Sequence, residues 1–79
     1  MSIDSHIGRM VRFHRKKAKL SQLELAKLSG VGKTVVFDVE KGKESIRLST
    51  LMKLLNTLNI TIGFSGPLMN LFRQYDEKS

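Results

Sequence analysis

The sequence predicts an all-α fold, a small helical domain with one β-strand near its C-terminus and a short final helix. Three observations predict it. Apolar residues recur at i, i+3 and i+4 through most of the 79 residues. Gly30 and Gly42 fall where two of those periods stop, as helix-closing glycines do. The run Asn59-Ile-Thr-Ile-Gly-Phe64 alone alternates, with Ile60, Ile62 and Phe64 on one side and Thr61 and Gly63 on the other.

Taken in order, Ser2-Ile-Asp-Ser5 offers several N-caps for a first helix whose inward positions are Ile7, Met10, Val11 and His14 and which ends near Lys19. Its second half carries Arg12, Arg15, Lys16, Lys17 and Lys19, which suit the negative end of the helix dipole and also place cations for a phosphate backbone. Ser21 followed by Glu24 is a capping box, so a second helix starts at Gln22 and buries Leu25, Ala26 and Leu28. After a tight turn through Gly30, Val31 and Gly32, a third helix runs on Val35, Val36 and Val39 to Gly42. Two short helices joined by a glycine turn make a helix-turn-helix.

Lys41 to Arg47 is a charged loop containing Lys43, long enough to cross a phosphate backbone. Ser49 is expected to cap a fourth helix with Leu51, Leu54, Leu55 and Leu58 as its buried stripe, and Ile46 and Leu48 to plug the core on the way in. One strand cannot satisfy its own backbone, so residues 59–64 are expected to pair with the same segment of a second copy, Ile60, Ile62 and Phe64 forming the contact, the alternative being an extended tail that lies on the core. Pro67 then stands at the first position of a last helix with the stripe Leu68, Leu71, Phe72 and Tyr75. That stripe either packs on its own dimer or docks a partner protein. The chain thus divides into a DNA-binding unit, 1–58, and a dimerisation segment, 59–79.

Composition narrows the function. The formal charge of +7 resides between Arg9 and Arg47, where eleven Lys/Arg face four acids. A basic segment that coincides with a helix-turn-helix is the footprint of a polyanion binder. With no cysteine, neither a disulfide nor a thiolate metal site is available. His6 and His14 lie two helical turns apart with no third ligand between them, and no cofactor is expected. Gly30-Val-Gly-Lys-Thr34 resembles the end of a phosphate-binding loop, but the first glycine of that motif would fall at Lys27, inside a helix. No nucleophile, base and orienting group assemble, so an enzyme is not expected. Without an apolar run of membrane-spanning length or a secretion-signal layout, the expected location is the cytoplasm.

On double-stranded DNA the second helix would present Gln22 and its free N–H groups to a phosphate. Gly32, Lys33 and Thr34 open the third helix, and Phe37 and Asp38 follow one turn later on the same face. Lys33 has the donor to read guanine O6/N7, Thr34 to bond a base edge or phosphate, and Asp38 to accept from a cytosine amino group. Val35 lies between those turns, within reach of a thymine methyl. Phe37 has no hydrogen-bonding capacity and either meets thymine methyls or packs on backbone sugars.

Ser21-Gln22, Leu25-Ala26, Gly30-Val31, Val36, Val39-Glu40 and Gly42 together resemble the Cro/CI-type helix-turn-helix regulators. The resemblance implies sequence-specific binding of a palindromic operator by a homodimer, with the third helix in the major groove. It also implies that Gln22 clamps the backbone and that Arg15 pairs with Glu40. The chain departs from that pattern at His14, where relatives usually carry an apolar residue, and at Lys19, where they often carry glycine. The strand directly after the fourth helix makes the chain similar to the HipB-like antitoxins within that group. That similarity implies an autoregulating repressor with a kinase-like toxin as partner. The competing expectation is a protein-binding module in which the helix-turn-helix is only scaffold.

Overall fold

The computed structural model describes residues 3–78. Five helices follow one another: α1 (Ile3–Lys17), α2 (Gln22–Ser29), α3 (Lys33–Lys41), α4 (Leu48–Thr57) and α5 (Met69–Lys78). α3 packs against α1 and α2, and α2 packs in turn against α4. Between them lie Val11, Leu25, Ala26, Val36, Val39, Leu54 and Leu55, all buried. Burying a side chain of this size contributes about 1.5–3 kcal/mol, so this cluster is the main source of stability in so short a chain. Ile7, Met10, Ile46, Leu51, Leu58 and Ile60 pack around it.

The capping box at α2 is complete: the Glu24 amide donates to Ser21 Oγ at 3.0 Å and the Ser21 amide to Glu24 Oε1 at 2.8 Å. These bonds hold the Glu24 carboxyl below its ordinary range. Each of α1 to α4 closes the same way, with a residue in the left-handed region and two amides folded back on the last turn. At α2 these are Gly30 (φ 74°), bonded to the Lys27 carbonyl, and Val31, bonded to that of Ala26. At α3 they are Gly42 (φ 89°) and Lys43, bonded to Val39 and Asp38. At α1 and α4 the left-handed position is held by Lys19 (φ 60°) and Asn59 (φ 59°), where a side chain meets steric resistance that glycine escapes.

Glycine also fits one close approach. A Cβ on Gly8 in α1 would collide with the Val39 carbonyl oxygen and lie 3.1 Å from that of Glu40, so α1 crosses the end of α3 backbone to side-chain-free backbone.

Several expectations are corrected. Ser2 lies outside the described residues, and α1 already begins at Ile3, which places Asp4 and Ser5 inside the helix. α4 begins at Leu48 with Arg47 in the cap position, so Ser49 is not its cap. Leu48 is 68% exposed and Leu28 65%, neither being core, because both fall on the outward side of a helix whose inward positions are already filled. Pro67 lies in a turn closed by the Met69 amide on the Gly66 carbonyl, and α5 starts two residues later than expected.

Residues 60–66 form no strand. A strand exists through its ladder to a second extended segment, and every other regular element described here is a helix. Ile60 packs on the core of its own chain, while Phe64 is 75% exposed. α5 buries none of its residues, so Leu68, Leu71, Phe72 and Tyr75 form a bare stripe.

Candidate nucleic-acid interface

The first three helices meet at one buried ion pair, between Arg15 of α1 and Glu40 of α3. Arg15, buried at the end of α1, donates Nε–H to Glu40 Oε2 at 2.6 Å and Nη2–H to Oε1 at 3.0 Å, and its Nη1 reaches the Leu20 carbonyl at 2.9 Å. The two side chains are only 10% and 5% exposed. Bidentate bonding to Glu40 raises the Arg15 pKa further, so the guanidinium stays charged at every working pH. Glu40 Oε1 also accepts from Gln22 Nε2 at 3.3 Å. One carboxylate therefore ties α1, the start of α2 and the end of α3 together.

Above that junction three helices share a surface. An open depression of about 300 Å³ is lined by Arg12, Arg15, Gln22, Phe37, Glu40 and Lys41. A second cleft of about 430 Å³ is lined by Gln22, Lys33, Thr34 and Phe37. Gln22 and Phe37 belong to both, so the two hollows form one cationic, groove-shaped face. Gly32 starts α3 with no side-chain cap bond, leaving the first amides of that helix open to an acceptor such as phosphate.

Of the sequence-predicted site residues, the structure brings together Arg12, Gln22, Lys33, Thr34 and Phe37, with Gly32 at the adjoining helix start. Val35 is half-buried and packs on the core. Asp38 faces Lys43 Nζ at 3.4 Å, a partner that competes with any base amino group, and neither residue lines the shared face. Ile60 is drawn into the core, whereas Ile62 and Phe64 remain exposed.

Sequence reasoning placed Lys41 in the phosphate-crossing loop but missed its contact as the last residue of α3, where its Nζ lies 5.4 Å from the centre of the Phe37 ring. The i, i+4 spacing of Phe37 and Lys41 is the signal that could have found it. The outward Phe13 on α1 is similarly covered by Lys17 at 5.5 Å. Among the described residues no His, Cys, Asp and Glu group together in a way that could hold a metal ion, and no helix is long and apolar enough to cross a membrane.

Comparison with known proteins places this geometry. A helix-turn-helix family model matches residues 11–64. The uncharacterized HTH-type transcriptional regulator y4mF of Sinorhizobium fredii is 38% identical over 61 residues, covering 77% of this chain and 80% of that protein. Control protein C.SmaI of Serratia marcescens is 36% identical over 62 residues, covering 78% and 74% respectively. Among solved structures, HipB in a HipA-HipB-O2-O3 complex superposes with a TM-score of 0.74 over 85% of this chain and 94% of that one, at 19% identity.

Proposed function

The chain belongs to the helix-turn-helix family of DNA-binding transcriptional regulators, a family of non-enzymes, and from that premise we propose that it is a dimeric, sequence-specific repressor that controls its own operon as the antitoxin of a HipBA-like pair. The observation that carries the DNA reading is the convergence of Arg12, Gln22, Lys33, Thr34, Phe37 and Lys41 from three helices on one face. Cations at its edge hold phosphates, and the start of α3 meets base edges in the major groove. Two such faces related by a two-fold axis reach successive grooves about 34 Å apart, and the bound protein occludes the promoter.

The second copy is supplied through residues 59–79. Ile62, Phe64 and the α5 stripe leave an apolar surface exposed in the single chain, and a two-fold pairing of residues 59–64 supplies the missing ladder. The antitoxin role rests on fold likeness to HipB, which has been solved in a complex with HipA, O2 and O3 and in one with an O2 20mer. A kinase-like toxin is the corresponding partner.

The identity to a control protein favours a second reading, a regulator acting without a toxin. The scaffold-only alternative predicts no salt-dependent DNA affinity. Titrating the protein against its own promoter and a scrambled duplex over a range of salt decides. A strong promoter preference that falls steeply with salt supports repression, equal weak binding to both refutes it, and a pull-down against neighbouring gene products separates antitoxin from stand-alone regulator.

A further inference from the structure

One member of the DNA-facing surface has no polar chemistry. Phe37 is 47% exposed on the second turn of α3, and it lines both hollows of that surface. Its ring is held from one side by the Lys41 ammonium, 5.4 Å from the ring centre. On the other side it meets the cleft it shares with Lys33 and Thr34, which stand one helical turn earlier on the same ridge.

We propose that Phe37 selects a 5-methylpyrimidine at one position of each half-site, one or two base pairs from the base engaged by Lys33. The inference rests on the reading that α3 enters the major groove. There, the C5 methyl is the apolar feature that base edges present, carried by thymine and by methylated cytosine. An aromatic ring without donors or acceptors gains nothing from the oxygens and amino groups around it, but removing a methyl from water against it is favourable. Four residues of helix span about 6 Å and stacked bases are about 3.4 Å apart, which sets the offset from the Lys33 contact. Packing on a sugar is the weaker account, because Arg12 and Lys41, which line the first hollow with Phe37, carry the charge that suits phosphates, whereas the second hollow places Phe37 beside Lys33 and Thr34, the residues suited to base edges.

The test begins with selection of a preferred duplex from a randomised pool by the full chain. Each thymine of that duplex is then replaced singly by deoxyuridine, which removes only the methyl, and affinity is read by fluorescence anisotropy for wild type, Phe37→Ala and Phe37→Leu. In wild type, one thymine per half-site should respond with about a fourfold loss, the worth of one buried carbon. Phe37→Ala should show no response at that position and Phe37→Leu a partial one. In a parallel arm, 5-methylcytosine placed there should bind wild type about fourfold more tightly than cytosine, and Phe37→Ala equally well in both forms. An equal thymine response in wild type and Phe37→Ala overturns the proposal, as does a specifically bound duplex in which no thymine responds. If Phe37→Ala fails to fold, Phe37→Leu against wild type carries the comparison, and an undiminished response overturns it. If no sequence emerges from the pool, the DNA-reading premise has failed and the proposal falls with it, an outcome distinct from specific binding without methyl dependence.

Discussion

Replacing Glu40 by alanine should unfold this domain more readily than any other single change on the face shared by α1, α2 and α3. The substitution removes both carboxylate bonds to Arg15 and the Gln22 contact, and leaves a guanidinium that is 10% exposed with only the Leu20 carbonyl as partner. Breaking a buried pair from one side costs about 3–5 kcal/mol. A 79-residue domain holds roughly 4–12 kcal/mol in total, at 0.05–0.15 kcal/mol per residue, so the loss takes a large part of the whole. At about 4–8 °C per kcal/mol for a domain of this size, the midpoint should fall by roughly 12–40 °C in a circular dichroism melt at pH 7. The double variant Arg15→Met, Glu40→Leu should recover most of that loss, because an apolar pair of similar volume needs no desolvated charge. A midpoint for Glu40→Ala within about 2 °C of wild type would refute the reasoning.

Other outcomes follow from particular positions. Lys19→Gly should raise stability by about 0.5–1 kcal/mol in a denaturant melt, since it relieves a side chain at φ 60°, and a lower midpoint would count against that strain. Gly8→Ala should lower it by about 1–3 kcal/mol despite alanine's better helix propensity, because the Val39 carbonyl it would strike is backbone in a packed helix. Because the folded Glu24 carboxyl sits below its ordinary value of 4.5, the stability it confers over Glu24→Gln is present above that pH and is lost as pH falls through the folded value; parallel melts of the two proteins across the acid range check the sign. Ile62→Pro, which removes a ladder donor, should give monomers in sedimentation velocity, and persistent dimers would exclude pairing through residues 59–64.

How much could be read beforehand depended on whether the signal was local. Ser21 with Glu24 and Gly30 with Gly42 state a start and two stops within a few residues of chain, and the structure has them there. The Arg15–Glu40 pair was legible only through family resemblance, since two residues 25 apart leave no local trace. Ser49 misled because a hydroxyl residue near a helix start is as compatible with the first turn as with the cap, and the chain enters α4 already at Leu48. Leu28 and Leu48 are apolar, and apolar identity alone does not say which side of a helix faces in. Gly8 carried no pattern, because a close helix crossing is a relation between two elements. The alternation in residues 59–64 is a real period of two, but it specifies which side chains share a side and not what the backbone bonds to.

The four helix stops have a kinetic consequence. Each is made by amides reaching back no more than five residues, so the ends of α1 to α4 can be set before any distant part of the chain arrives. What remains for the folding transition is the meeting of short, already delimited rods over brief loops. Chains dominated by such near-neighbour closures fold in microseconds to milliseconds, and proteins built from distant strand pairings take up to seconds. The single chain should therefore complete its fold on its own, and in the proposed dimer the meeting of two folded copies would be the slower step that follows.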